Sequence, residues 1–284
     1  MPDFPIIDAH VHLCNVSELK YSWTKDAPQL GRNVSPADLK KAAGPVTIEK
    51  FVFIEVDVDH PYELTEAAWI ESLRPSTPEL GAMVASLPLE QGASIEEDII
   101  SLKRHSLLRG IRRLIQKEAD PAFCLQPRFI EGLKLLARHD LSFDICIYHH
   151  QLPSVIRMVG QCPEVRFVLD HIAKPGIKAG LFEPWAAQLR ELARFPDVSC
   201  KISGVITEAD HKSWTRDEVK PYIAHAIDCF GFDRAMFGSD WHVQELAGTY
   251  RGWIEVVDWV VAGASAEEKR KLFRETAKKA YRIT

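Results

Sequence analysis

The sequence has 284 residues, of which 46% are hydrophobic and 26% are charged, a composition typical of a globular chain that buries a sizeable core. Its 35 basic and 40 acidic residues give a formal net charge of -5, and the absence of a basic run argues against nucleic acid or anionic membrane as a partner. No apolar run approaches the roughly 18 residues that span a bilayer, and the N-terminus lacks a signal-peptide pattern. We therefore expect a cytoplasmic protein that acts on a small molecule.

Short apolar segments rich in β-branched residues alternate along the chain with segments of helical spacing. Eight segments predict strands, at 6–12, 51–56, 82–87, 110–115, 141–148, 165–171, 198–203 and 235–240. Nine predict helices, at 36–43, 62–73, 95–105, 127–139, 154–159, 183–195, 216–230, 250–261 and 266–281. Three helix starts carry the S/T-x-x-E pattern of a capping box: Ser94 with Glu97, Thr215 with Glu218, and Ser265 with Glu268.

This alternation predicts the fold. Strands that alternate with helices pair in parallel through right-handed crossovers, and eight such units favour closure into a (β/α)₈ TIM barrel. An open Rossmann-like sheet lacks support, because no G-x-G-x-x-G follows any strand. No linker interrupts the chain, so residues 1–284 are expected to form a single domain, with the segment 15–35 as a candidate lid.

Ionisable residues concentrate at the C-terminal ends of the predicted strands, where a barrel places its active site. The first strand ends in His10 and His12, the sixth in His171 and the eighth in Asp240. Because strand side chains alternate, His10 and His12 share a face about 6.5 Å apart along the strand. Buried ionisable groups are costly unless they are paired, so this concentration predicts a catalytic site.

Two hydrolytic mechanisms fit these four residues. His10, His12, His171 and Asp240 could bind a single divalent metal, with zinc favoured, that activates water. Alternatively, Asp240 is the general base for water while the histidines and Arg112 polarise a carbonyl and stabilise the oxyanion. Both mechanisms predict hydrolysis, and the metal is optional.

Further residues are candidates for binding the substrate. Arg112 lies on the fourth strand, and His149 and His150 follow the fifth, although which of the two histidines faces the site is open. Trp23 on the first loop and Trp241 beside Asp240 could form aromatic walls. Lys174 follows the sixth strand and could donate to a hydroxyl or a carboxylate.

Strand alternation also assigns supporting roles. Arg112 and Arg113 are adjacent, so only one of them can enter the barrel. Glu55 either orients a histidine or forms an ion pair with Arg112. Asp8 is placed on the same face as His10, deeper in the strand, as a buried orienting group.

Several motifs resemble the amidohydrolase superfamily: DAHVHL, GIRRLIQ, HHQLP, LDHIAKP, CKISG and MFGSDW. Within it they are similar to the branch of L-fuconolactonase, L-rhamnonolactonase and pyrone-dicarboxylate lactonase. That resemblance implies hydrolysis of a cyclic ester, usually a sugar lactone, with Asp240 as the base and without an obligatory metal. Dinuclear members carry a bridging lysine on the fourth strand, where this chain has Arg112, so the resemblance argues against a two-metal site.

Other functions remain open from sequence alone. Related barrels use similar sites as zinc-dependent decarboxylases of aromatic or unsaturated carboxylic acids, and a non-catalytic sugar-binding barrel is a third hypothesis. The six cysteines are scattered and form no C-x-x-C motif, which indicates reduced thiols. The sequence is compatible with a homo-oligomer and does not specify one.

Overall fold

Eight parallel strands form one sheet and follow each other in chain order. In the computed structural model, which describes residues 1–284, the strands are β1 (Ile6–Val11), β2 (Ile48–Ile54), β3 (Leu80–Ser86), β4 (Leu108–Leu114), β5 (Ser142–Cys146), β6 (Phe167–Leu169), β7 (Val198–Ile202) and β8 (Ala235–Phe237). Backbone N–H groups of Asp240 and His12 donate to the carbonyls of His10 and Trp241 at 2.9 and 2.6 Å, which joins the chain after β8 to β1. The predicted single-domain (β/α)₈ barrel is confirmed.

Helices surround the sheet, and each of the nine predicted helical segments overlaps at least one of the ten observed helices. They are α1 (Pro36–Ala43), α2 (Glu63–Leu73), α3 (Glu96–Leu102), α4 (Pro127–Arg138), α5 (Leu152–Gln161), α6 (Trp185–Leu192), α7 (Arg216–Phe230), α8 (Tyr250–Val260), α9 (Ala266–Arg270) and α10 (Thr276–Ala280). A π-helical turn at Lys271–Glu275 joins α9 to α10. The last predicted helix, 266–281, is therefore one continuous helix that contains a wider π-helical turn.

Two of the three predicted capping boxes are present. Thr215 caps α7 and Ser265 caps α9, each with a reciprocal glutamate contact. The prediction at Ser94 is wrong, because its hydroxyl donates to the carbonyl of Gln91 at 3.0 Å. A 3₁₀ turn at Leu89–Ile95 leads directly into α3, so this helix needs no serine cap.

The predicted position of Asp8 is also wrong, and the reason lies in the pairing of β1 with β2. Asp8 is in register with Phe51 and Val11 with Phe53, so three residues of β1 oppose two of β2. This irregularity reverses the alternation that the sequence suggests. Asp8 accepts a hydrogen bond from the hydroxyl of Tyr250 on α8 at 2.9 Å and does not face the site.

The barrel interior below the site is filled by small and branched side chains. This cluster contains Ile7, Ala9, Val52, Ile54, Ala82, Val84, Val168 and Met236, together with Ala277, Tyr281 and Ile283 from the C-terminal segment. The Tyr281 hydroxyl donates to Oδ2 of Asp144 on β5 at 2.5 Å. The end of the chain therefore closes the lower end of the barrel and contacts buried polar groups inside it.

Candidate active site

The four residues predicted to be catalytic lie together at the C-terminal ends of the strands. His10 Nε2 and His12 Nε2 are 3.1 Å apart, and Asp240 Oδ1 lies 3.6 and 3.3 Å from them. His171 Nε2 is 3.9 Å from the same carboxylate oxygen. All four side chains are at least 95% buried, so water reaches Asp240 only through the cavity above it.

The protonation states follow from the partners. His12 Nδ1 lies 2.9 Å from the carbonyl oxygen of Ile54, which only accepts, so Nδ1 carries a proton. Burial lowers the pKa of His171 to about 4, and burial followed by the charge of Lys201 lowers the pKa of His10 well below its usual value. Burial raises the pKa of Asp240, but the surrounding imidazoles, His171 foremost, hold it below its usual range. The site therefore combines the neutral imidazoles of His10 and His171 with an ionised carboxylate.

His171 is presented by a left-handed turn directly after β6. Residues 171–174 all have positive φ, between 46° and 62°, which costs L-residues roughly 1–2 kcal/mol each. The ring is anchored from the other side, where Nδ1 lies 2.9 Å from Oγ of Ser203 after β7. The turn brings both His171 and Lys174 to the same cavity, a concentration of strain typical of functional sites.

Gly204 is required by this arrangement, and its replacement gives a testable prediction. Gly204 has φ +57°, and a Cβ there would lie 2.4 Å from His171 Nδ1 and 3.0 Å from Asp240 Oδ2. We expect Gly204→Ala to displace His171 and to lower kcat/KM by about 100-fold, since misplacement by about 1 Å costs that much. Gly231→Ala is the matched control because it has φ +67° and no atom within 4 Å. Equal activity of the two variants would contradict the assignment.

Arg112 lies below the histidines in a buried ion-pair network. Its Nε donates to Glu55 Oε1 at 2.6 Å, and its Nη1 donates to Asp170 Oδ2 at 3.1 Å. The ion pair is therefore the correct one of the two roles suggested for Glu55. Arg113 points outward and pairs with Glu90 and Glu118, which confirms that only one arginine enters the barrel.

A cavity of about 160 Å³ opens above Asp240. Its lining residues are His12, Trp23, Val56, Asp57, Arg112, Leu114, Gln116, Lys117, Cys146, His171, Lys174, Asp240 and Val243. Trp23 is fixed there because its Nε1 donates to the carbonyl of Val56 at 2.7 Å. Lys174 pairs with Glu208 at 3.4 Å. The structure thus places Arg112, Trp23 and Lys174 at the cavity, as expected for substrate-binding groups.

Three other predicted binding residues do not line this cavity. After β5 the chain enters a 3₁₀ turn at His149–Gln151, and neither histidine lines the cavity above Asp240. His150 is exposed, and His149 Nδ1 contacts the carbonyl of Lys174 at 2.9 Å. Trp241 is 1% exposed and packs in the core, where its Nε1 donates to Glu245 at 3.0 Å.

Other residues at the site were given no catalytic or binding role by the sequence. Gln116, Lys117 and Asp57 lie at the cavity wall. Lys201 and Asp144 are fully buried beneath the histidines and form an ion pair at 2.7 Å. The signal in the sequence was a charged residue inside each of two otherwise apolar strand segments, SFDIC and VSCKI.

His242, two residues after Asp240, predicts an acid-dependent loss of stability. Burial, with a contribution from His12, lowers the pKa of His242 from 6.5 to about 4. Because the unfolded chain binds a proton that the folded chain excludes, the free energy of unfolding falls as the pH drops from about 6.5 to about 4. The contribution of His242 is roughly 3 kcal/mol.

Urea denaturation between pH 4 and 8 measures this effect. We expect His242→Gln to lose less stability in acid than the wild type. His60→Gln is the control, since the side chain of His60 is 77% exposed and its variant should follow the wild-type profile. Parallel curves for His242→Gln and the wild type would contradict the prediction.

The residues at the site suit a divalent metal by type and spacing. His10, His12 and Asp240 each offer one ligand atom, and these atoms lie within 4.8 Å of one another. Two imidazole nitrogens and one carboxylate oxygen form a donor set that zinc favours. His10, Asp170 and His171 form a second such group. The positive charge of Arg112, with Nη1 3.5 Å from His10 Nε2, disfavours a divalent cation close to it.

The fold is a (β/α)₈ barrel with ionisable side chains gathered at the C-terminal ends of its strands, and sequence comparison identifies the family. The family model described as amidohydrolase matches residues 7–283. The chain therefore belongs to the amidohydrolase family, as the motifs suggested.

Two relatives are similar over nearly their whole length. An L-fucono-1,5-lactonase from Burkholderia ambifaria is 33% identical over 87% of this chain and 85% of that protein. An L-fucono-1,5-lactonase from Burkholderia multivorans is 30% identical over 98% of this chain and 96% of that protein. The similarity to the second relative thus spans nearly the whole barrel.

Solved structures agree on the fold. A crystal structure of an amidohydrolase from Burkholderia multivorans with bound zinc has a TM-score of 0.89 at 28% identity, covering 99% of this chain and 100% of that one. A 2,6-dihydroxybenzoate decarboxylase from Rhizobium has a TM-score of 0.61 at 11% identity, covering 98% of both chains, which shows the fold alone. None of the helices combines the length and apolar character needed to cross a bilayer.

Proposed function

We propose that this protein hydrolyses a sugar-derived lactone, an aldonolactone, in the cavity above Asp240. The observation that carries the proposal is an ionised carboxylate beside the imidazoles of His12 and His171 at the bottom of a small cavity. The similarity to L-fucono-1,5-lactonases at 33% and 30% identity supports a lactone as the substrate. The cavity of about 160 Å³ suits a single sugar ring.

In this mechanism Asp240 is the base. It takes a proton from water while the water oxygen attacks the carbonyl carbon of the lactone. Negative charge develops on the carbonyl oxygen, where the positive charges of Arg112 and Lys174 and the imidazole of His171 stabilise it. When the ester bond breaks, the proton held by Asp240 passes to the ring oxygen, and the product is a hydroxy acid.

The chain's own residues carry these steps. When a divalent metal is bound, His10, His12 and Asp240 would hold it, and it would supply Lewis-acid polarisation of the carbonyl. We propose that such a metal is optional. The same proposal places the enzyme in the cytoplasm, and its partner is the small-molecule substrate.

A substrate panel tests the proposed function. Purified protein would be mixed with 1,4- and 1,5-aldonolactones, and acid release would be followed with a pH indicator in dilute buffer. We expect acceleration over the spontaneous reaction with at least one sugar lactone. Failure on the whole panel, together with release of CO₂ from an aromatic acid, would favour a decarboxylase instead.

The decarboxylase is the weaker hypothesis because its structural relatives share only the fold with this chain. A non-catalytic sugar-binding barrel is weaker still, because it would not require an ionised Asp240 with His171 only 3.9 Å away. Binding of a lactone without product formation would support it.

A further inference from the structure

Every lysine and arginine that lines the cavity above Asp240 is paired with a carboxylate. The pairs are Arg112 with Glu55 and Asp170, Lys117 with Asp57, and Lys174 with Glu208. The guanidinium of Arg112 donates through Nε and Nη2 to the carboxylate and the carbonyl of Glu55, and through Nη1 to Asp170. The cavity therefore offers no free lysine or arginine to an anionic group on a substrate.

The carboxylate of Asp240 adds to this disadvantage for an anion. Only imidazoles lie within ion-pair distance of it, at 3.3–3.9 Å. A carboxylate on the substrate would lose water on entering the cavity, and it would find an ionised carboxylate there without a free cation. Like charges and unpaired charges of this kind reject a ligand at little cost to an uncharged competitor.

Glu208 is the acid that keeps Lys174 paired. It ends the 3₁₀ turn Ile206–Glu208 after β7, and its carboxylate lies 3.4 Å from Lys174 Nζ. The side chains of Lys174 and Glu208 are only 13% and 18% exposed, so salt screens this pair less than an exposed one. Burial raises the pKa of Glu208, and the charge of Lys174 opposes that rise. Replacement of Glu208 by a neutral residue would leave a largely buried ammonium group at the cavity wall.

The other lysine of the cavity has a weaker influence on its charge. The side chains of Lys117 and Asp57 are 62% and 43% exposed, and they are 3.6 Å apart. Water and salt screen exposed charges, so such a pair contributes little energy whether it is formed or broken. The pairing of Lys174 therefore has the larger effect on how the cavity receives an anion.

We propose that Glu208 is a positioning residue that sets the charge selectivity of the site through Lys174. It does not line the cavity. With Lys174 neutralised, the cavity accepts uncharged lactones and rejects lactones that carry a carboxylate. The inference rests on the proposed lactone hydrolysis and specifies the charge of its substrate. It also favours release of the product, because opening the lactone creates a carboxylate that no free cation retains.

Two lactones of the same sugar and ring size test the selectivity. The terminal carbon is a hydroxymethyl group in one and a carboxylate in the other, and rates are measured at pH 7.5. We expect the wild type to prefer the uncharged lactone in kcat/KM by about tenfold or more. In Glu208→Gln this preference should fall roughly 10- to 100-fold, the range that a hydrogen bond to a charged group contributes. A purely structural defect would lower both rates and leave their ratio unchanged.

Inhibition by the product gives a second readout. The hydroxy acid formed from the uncharged lactone is added to initial-rate assays of the wild type and of Glu208→Gln. We expect its inhibition constant to be roughly 10- to 100-fold lower in the variant, because the freed ammonium of Lys174 can pair with the product carboxylate. Equal inhibition constants would contradict the role of Glu208 in product release.

Asp210→Asn is the matched control, two residues further along the chain. Asp210 pairs with Lys178 at 3.1 Å, and neither residue lines the cavity. This variant should keep the wild-type ratio of the two lactones. Lys174→Gln/Glu208→Gln removes both charges of the pair, so its ratio should return to that of the wild type, although both rates fall.

Three results would overturn the proposal. They are equal rates of the wild type with the two lactones, an unchanged ratio in Glu208→Gln, and the same shift of the ratio in Asp210→Asn. In each case lactones are still opened, so the proposed hydrolysis stands and only the role of Glu208 fails. A protein that opens no lactone at all would contradict both proposals together.

Discussion

Asp240→Asn is expected to lower kcat by about 10²- to 10⁴-fold, the contribution typical of a general base. The amide has nearly the same shape as the carboxylate but cannot take a proton from water. Because the substitution impairs proton transfer from water and leaves the surface that binds the substrate in place, KM should change little. Initial rates with the best lactone of the panel, corrected for spontaneous opening, measure the effect.

Asp57→Asn is the matched control for this variant. Asp57 also lines the cavity, but its carboxylate pairs with Lys117 at 3.6 Å and is 43% exposed. Removing that charge should leave kcat within about tenfold of the wild type, in line with the small energies of exposed ion pairs. If Asp57→Asn lost as much activity as Asp240→Asn, the base would be assigned to the wrong residue.

The second large effect is expected from Arg112→Met. The substitution leaves the buried carboxylates of Glu55 and Asp170 without the guanidinium that now contacts them at 2.6 and 3.1 Å. Breaking a buried pair by removing one partner costs about 3–5 kcal/mol. Urea denaturation at pH 7.5 should show this loss in the free energy of unfolding, with activity lost as well.

Arg113→Met provides the control at the neighbouring position of β4. Arg113 pairs with Glu90 and Glu118 on the outer side of the barrel, where all three side chains are 23–28% exposed. We expect a loss of about 1 kcal/mol or less. A similar loss for both arginine variants would mean that the network below the site adds nothing beyond an ordinary surface ion pair.

The fold and the centre of the site could be predicted because both depend on local patterns. Segments with the periodicity of a strand and of a helix alternate eight times along the chain. Few chain topologies are compatible with that order. The histidine pair and Asp240 end the first and the last strand, and a closed barrel makes these strands neighbours. Their proximity, 3.3 Å from His12 to Asp240, follows from closure alone.

Other features depend on contacts that no local pattern encodes. The irregular pairing of β1 reverses the face of Asp8, although alternation of the strand predicts otherwise. The turn after β5 removes His149 and His150 from the cavity wall. Lys201 forms ion pairs with Asp144 and Asp170, which are 57 and 31 positions away in the chain.

Hydrolysis of a sugar lactone in water enriched in oxygen-18 tests the central proposal most directly. We expect the enzyme to open the lactone faster than buffer does, and mass spectrometry to find one heavy oxygen in the carboxylate of the product. The ring oxygen should remain unlabelled as a hydroxyl, since water attacks the carbonyl carbon. No acceleration with any sugar lactone, or label on the hydroxyl carbon, would contradict water activation by Asp240.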